Sequence, residues 1–221
     1  MNENGIISFS GQTWKVRNDE GKHGPGPNYF SDKSVYVDAN GDLHLNLHKD
    51  SSTGNWLCAE ITSEQKFQFG TYTFEVEGAI DKMDKNIVLG LFNYSGNDGF
   101  DEIDIEFARW GNKNYPNINY TVWPAEKKEF RNRSYSKEYA QENTKGTQQF
   151  IWSKDSIEFK TFSGFSTDKK NLVESHTFTQ PQTSISNLQM PIHINLWLFE
   201  GKPPEDDKPV ELIIHRFDFK K

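Results

Sequence analysis

Cysteine is almost missing from this chain. Cys58 is the only one, so no intrachain disulfide can close and no cysteine-based zinc site can form. Long hydrophobic runs are missing too: no stretch approaches the roughly 20 apolar residues of a membrane-spanning helix. Residues 1–5 are polar where a signal peptide would carry charge and then an apolar stretch, so the chain as given is expected to be soluble, with no membrane partner. Positive charge is in short supply. The 25 Lys and Arg stand against 32 Asp and Glu, a formal net charge of −7, which argues against nucleic acid because phosphate binding needs a basic surface. A neutral ligand suits the balance better. Helical periodicity is scarce as well: only residues 134–147 could be mildly helical, and that stretch is polar enough to be a loop.

What the chain does hold is rings. Hydrophobic residues make up only 34 % of it but aromatic ones 14 %, so the apolar area sits in a few large side chains, as suits a β-rich domain. Period-two alternation recurs. Leu43, Leu45 and Leu47 alternate with His44, Asn46 and His48, and Tyr72, Phe74 and Val76 alternate with Thr71, Thr73, Glu75 and Glu77. Further strands are expected at 56–61, 87–92, 102–107, 118–123, 149–152, 157–162, 190–197 and 210–219. Turn-forming clusters at 39–42, 95–99, 111–114 and 163–164 separate them. Roughly ten short strands with this punctuation predict an all-β fold, a two-sheet antiparallel β-sandwich of jelly-roll type with a concave substrate cleft. A single domain over 1–221 is expected from the length. Two longer loops, 18–29 with Gly24-Pro25-Gly26-Pro27 and the acidic 200–209, are expected at a rim where they could shape a site.

One strand candidate carries chemistry. In 102–107, Glu102, Asp104 and Glu106 fall on one face and Ile103, Ile105 and Phe107 on the other. A solvated strand face is one reading, and spacing alone does not exclude it. Such faces normally mix charge signs, however, because like charges crowded together repel, and no compensating base follows until Arg109. Retaining glycoside hydrolysis needs two carboxyls roughly 5–5.5 Å apart, one to attack the anomeric carbon and one to protonate the leaving oxygen. Residues i and i+4 of a strand have Cα atoms about 13 Å apart, a gap that two long glutamates leaning together on a curved sheet can close and two aspartates cannot. Asp104 between them would share protons with its neighbours, so the three should titrate together.

The segment Glu102-Ile103-Asp104-Ile105-Glu106 resembles the signature of glycoside hydrolase family 16. The likeness extends through Cys58-Ala59-Glu60-Ile61, Phe69-Gly70-Thr71-Tyr72, Asn119-Tyr120, Ser156-Ile157-Glu158-Phe159 and Asn195-Leu196-Trp197. The resemblance implies a curved jelly-roll sandwich with Glu102 as nucleophile, Asp104 as assisting carboxylate and Glu106 as acid/base. It also implies sugar contacts at Glu60, Asn119, Asn195 and Trp197, with Phe92, Tyr94 and Phe100 flanking the cleft. No residue is inserted before the last glutamate, which is similar to the lichenase and xyloglucan-transglycosylase branch. Against the lichenase pattern, Thr62 stands where a sugar-binding arginine is frequent and Phe100 where tryptophan is. Ala108-Arg109-Trp110-Gly111 is likewise an unusual continuation and suggests an unusual subsite.

From this resemblance the expected activity is a retaining endo-β-glycosidase acting on a β-1,3-1,4- or β-1,3-glucan, with a polysaccharide as partner. A xyloglucan-type transglycosylase and a non-catalytic carbohydrate-binding sandwich stay open. No cofactor is expected to be required, and a structural Ca²⁺ held by Asp218 and the Gly41 carbonyl is the one metal the resemblance suggests. A monomer is expected, secreted or periplasmic because its substrate would not cross a membrane.

Overall fold

A computed structural model describes residues 5–125, 131–180 and 184–221, and those residues form sixteen strands. The first eight are β1 (Ile6–Phe9), β2 (Gln12–Val16), β3 (Tyr29–Phe30), β4 (Val35–Val37), β5 (Leu43–Lys49), β6 (Trp56–Phe67), β7 (Gly70–Glu77) and β8 (Ile87–Tyr94). The rest are β9 (Glu102–Phe107), β10 (Ile118–Trp123), β11 (Arg133–Lys137), β12 (Lys145–Trp152), β13 (Ser156–Ser163), β14 (Leu172–Thr179), β15 (Met190–Leu198) and β16 (Val210–Lys220). They make the expected all-β sandwich of jelly-roll type.

The front sheet runs β11-β10-β9-β8-β15-β6, with the β1–β2 hairpin continuing it beyond β6. The back sheet runs β5-β16-β7-β12-β13-β14, with β4 beside β5. Long β6 turns the corner between them: its first two residues pair with β5 and its later ones with β15 and β2. Every named pairing is antiparallel except the two-residue contact of β3 with β6.

Alternation in the sequence becomes the core. From the front sheet Leu89, Leu91, Ile103, Ile105, Phe107, Ile118, Tyr120, Ile192 and Ile194 are fully buried, and from the back sheet Leu43, Leu45, Tyr72, Phe74, Phe150 and Phe159 meet them. Each such side chain contributes about 1.5–3 kcal/mol through the apolar area it hides. Tyr120 stacks on Phe159 at 4.9 Å between ring centroids and 9° between planes. Its hydroxyl donates to Thr161 Oγ1 at 2.6 Å, which donates to Gln148 Oε1 at 2.6 Å, so a chain of hydrogen bonds joins the sheets there.

Residues 134–147 hold no helix. They contain most of β11, a loop, and the start of β12. Among the described residues β11 is an edge strand that pairs only with β10. With solvent on its free side it needs no apolar alternation, which is why its sequence RSYSK carries no strand signal.

Candidate active site

Strand pairing sets side chains in rows across the front sheet. Glu60, Asn195, Gly90, Glu106, Asn119 and Ser136 are successive register partners from β6 to β11. One step along, Thr62, His193, Phe92, Asp104, Thr121 and Ser134 form the next row. Tyr94, Glu102 and Trp123 form a third. The acids of β9 therefore lie mid-sheet, on the face away from the core.

Two hollows flank them. A cavity of about 510 Å³ on the β8–β15–β6 side is lined by all three acids together with Glu60, Phe92, Tyr94, His193, Asn195 and Trp197. A smaller one of about 210 Å³ lies on the β10–β11 side and includes Glu106 but neither Glu102 nor Asp104. Glu106 thus faces both hollows, and Glu102 only the larger.

The acids hold protons more tightly than free carboxyls do. Burial, with the charge of Glu102 added, pushes Glu106 up to about 8. Burial also pushes Glu102 up to about 7; a hydrogen bond with Asp104 pulls it back and the charge of Asp98 adds to the rise. Buried Asp104 is raised well above its ordinary value by burial and by the charges of both glutamates, against the pull of Trp123, whose Nε1 donates to its Oδ2 at 3.0 Å. Three anions side by side cannot all be tolerated here, so the cluster titrates as a unit.

The far wall of the larger cavity is organised by Glu60, which is 6 % exposed. Arg17 Nη1 donates to its Oε2 at 2.8 Å, and His193 Nδ1 lies 3.0 Å from its Oε1. Burial alone would raise Glu60, but His193 and Arg17 outweigh it and hold the carboxyl below its ordinary value. Arg17 is itself fastened by Asp19 at 2.6 Å, by the Gly24 carbonyl at 2.9 Å, and by Phe30, whose ring centre lies 3.9 Å below the guanidinium. His193 stacks on Phe92 at 5.0 Å and 21°, and Thr62 Oγ1 lies 3.1 Å from its Nδ1. Thr62 thus braces a histidine, and the guanidinium of the wall comes from Arg17 on the segment after β2.

Asn195 is buried, and its Oδ1 has no hydrogen-bond partner among the described residues. It projects over Gly90: a Cβ there would stand 2.4 Å from that oxygen, so only glycine leaves the amide its place. Asn119 is committed to protein neighbours, donating to the Ala108 carbonyl at 3.0 Å and accepting from Ser136 Oγ at 2.7 Å. Trp197 is buried against Trp110 at 6.4 Å. The Tyr94 hydroxyl donates to Asp98, which reaches into the larger cavity from the loop before β9. Phe100 lines neither hollow and stands half-buried just before β9.

The structure therefore brings together the three acids, Glu60, Phe92, Tyr94, Asn195 and Trp197, puts Asn119 in the second hollow, and leaves Phe100 aside. Arg17, Asp98 and His193 were not read from the sequence. Their only sequence signal was the expectation that the 18–29 loop beside Arg17 lies at a rim, and Gly24 and Pro25 do line the larger cavity. Asp218 faces two cations, Arg216 at 3.2 Å and Lys220 at 3.6 Å, while Gly41 sits in the turn closed by its N–H to the Asp38 carbonyl. Among the described residues no group of three or more His, Cys, Asp or Glu is placed to hold a metal ion.

Residues 27–207 match the model of glycosyl hydrolases family 16. The chain belongs to that family. Solved structures agree in fold. A Bacillus licheniformis β-glucanase aligns over 100 % of this chain and 94 % of its own, with a TM-score of 0.70 and 20 % identity. A prokaryotic β-1,3-1,4-glucanase (lichenase) from a mouse hindgut metagenome aligns over 96 % of this chain and 94 % of its own, with a TM-score of 0.69 and 18 % identity. A pseudo β-1,3-glucanase of Mycobacterium tuberculosis aligns over 94 % and 91 %, with a TM-score of 0.67 and 16 % identity. No curated protein sequence matches the chain. In this member of family 16 the Glu-Ile-Asp-Ile-Glu strand lies at the floor of the cleft between two hollows.

Proposed function

We propose that the protein is a retaining endo-β-glycosidase of family 16 that cuts internal linkages of a neutral β-glucan, with β-1,3-1,4- or β-1,3-glucan as the favoured substrate. The observation that carries this reading is the position of Glu106 at the junction of the two hollows, with Glu102 facing only the larger. A glycan lying across β9 places its anomeric carbon at Glu102 and its scissile oxygen at Glu106. Glu102 attacks that carbon while Glu106, protonated near neutral pH by its raised pKa, gives its proton to the departing oxygen. Water then attacks the glycosyl ester, passes its proton to Glu106, and releases Glu102 as carboxylate. Asp104 hydrogen-bonds Glu102 and accepts from Trp123, which orients the nucleophile. A neutral substrate is favoured because the larger hollow holds five carboxyl groups and one guanidinium, Arg17, which is already bound to Glu60 and Asp19 and so leaves no free cation among the described lining residues for a sulfate or uronate. Such a polymer stays outside membranes, so the protein would work as a secreted or periplasmic one.

One structural relative carries the description pseudo β-1,3-glucanase, which supports a second reading, a carbohydrate-binding sandwich without turnover. Reducing-sugar release from mixed-linkage β-glucan, laminarin and xyloglucan decides between them. Wild type is expected to release sugar and Glu102→Gln to release none while melting at the same temperature. Silence from wild type on every polymer would favour the binding module.

A further inference from the structure

The stretch after β9, residues 108–115, presents two rings to the smaller hollow. Trp110 stands at φ +50 and Gly111 at φ +75, so the chain turns sharply as it leaves the catalytic strand. A bulky residue in the left-handed region is unusual, and such positions persist where the surroundings hold them. Here they do. Gly111 N–H donates to the Lys85 carbonyl at 2.9 Å, and Phe199 lies so close over Gly111 that a Cβ would come within 3.3 Å of its ring. Arg109 forms a two-pronged pair with Glu138 at 2.6 and 3.0 Å and donates to the Tyr115 carbonyl at 2.7 Å, which ties the far end of the turn to the segment after β11. The Trp110 indole rests between Trp197 at 6.4 Å and the edge of Phe199 at 5.7 Å. Tyr115, 38 % exposed, completes the rim.

The rest of that hollow is polar and nearly uncharged. Its other described lining residues are a third ring, Trp123, the polar Asn119, Thr121, Asn132, Ser134 and Ser136, and Glu106, the only charged group among them. Rings beside hydroxyls and amides, with no cation, fit a neutral pyranose: its C–H face lies on an aromatic ring while its hydroxyls exchange hydrogen bonds with the polar side.

We propose that Trp110 and Tyr115 form a sugar-binding platform for the leaving-group side of the substrate, taking a neutral pyranose unit downstream of the scissile bond. This rests on the hydrolase reading above, since it is the proton donor, Glu106, that opens onto this hollow, and Glu102 does not. The sugar whose oxygen Glu106 protonates departs through the platform. A second glycan seated there can return as acceptor. Its hydroxyl gives its proton to Glu106 as its oxygen bonds the anomeric carbon, and the ester bond to Glu102 breaks to regenerate the carboxylate.

The test compares wild type, Trp110→Ala and Tyr115→Ala on two substrates: mixed-linkage β-glucan, and the β-fluoride of a short β-glucan oligosaccharide, whose one-atom leaving group does not reach the platform. Loss of one stacked ring is expected to lower kcat/KM on the polymer roughly three- to tenfold, with the fluoride changed less than about twofold. If Trp110→Ala disturbs the turn, exposed Tyr115→Ala carries the comparison. A loss confined to the polymer in either variant supports the platform. Equal losses on both substrates, or none on either, in both variants overturn it. Wild type inert on both substrates overturns the hydrolase reading itself, and the platform with it.

Discussion

Asp98 reaches the nucleophile from outside its strand. Its charge helps raise Glu102 and offsets part of the downward pull of the Asp104 hydrogen bond. Neutralising it in Asp98→Asn removes a repulsion and lowers the Glu102 pKa, and the acid limb of the kcat/KM profile on polymer should move to lower pH while the alkaline limb, set by Glu106, stays. A limb that stays in place or climbs would sink the assignment. Glu106→Ala should lose roughly 10²–10⁴-fold on polymer but far less on an aryl glycoside with a good leaving group, which needs little protonation; equal losses on the two would remove Glu106 from the acid role. At this scale the acids were legible because their period of two and lack of a compensating base are local properties. Arg17 and His193 were not. His193 meets Glu60 only after β6 and β15 pair across 133 residues of chain, and nothing near either residue announces that meeting.

Strands show the same division. Those that bury one face wrote the alternation that revealed them, as in β7 and β9, whereas polar β11 at one edge, short β4, and β14 at the other edge with mostly half-buried or exposed side chains left little trace. What fastens the end of β10 is also out of sequence view. Buried Asn117, just ahead of that strand, donates to the Tyr139 carbonyl at 2.8 Å and accepts from its N–H at 2.8 Å, in the way a neighbouring strand would, and also donates to the Asp81 carbonyl at 3.1 Å. Asn117→Ala leaves buried backbone groups unpaired at about 1–3 kcal/mol each. Urea unfolding should show a stability loss of at least ~2 kcal/mol, and a midpoint equal to that of wild type would refute the role.

For the whole molecule, the acid cluster makes folding depend on pH. Glu102, Asp104 and Glu106 all bind protons more tightly when folded, so the stability linked to them is complete below their ordinary values and drains away as pH rises toward about 7 to 8. Glu60, Asp38 and Glu138 are lowered by their partners and act in the opposite sense, losing their contribution as pH falls through their folded values. The melting temperature should therefore peak in mildly acidic buffer and fall toward about pH 8, and Glu106→Gln should flatten that fall. A wild-type melting temperature that is level from about pH 5 to 8 would contradict it.

The span that matches the family runs from 27 to 207, yet β16 lies beyond it, between β5 and β7 in the middle of the back sheet, and Arg17, which grips Glu60, lies before it. A recombinant fragment cut to the matched span would lose an interior strand of one layer and a wall of the cleft. Expression boundaries for this protein have to be drawn from strand pairing, outside the limits that sequence similarity suggests.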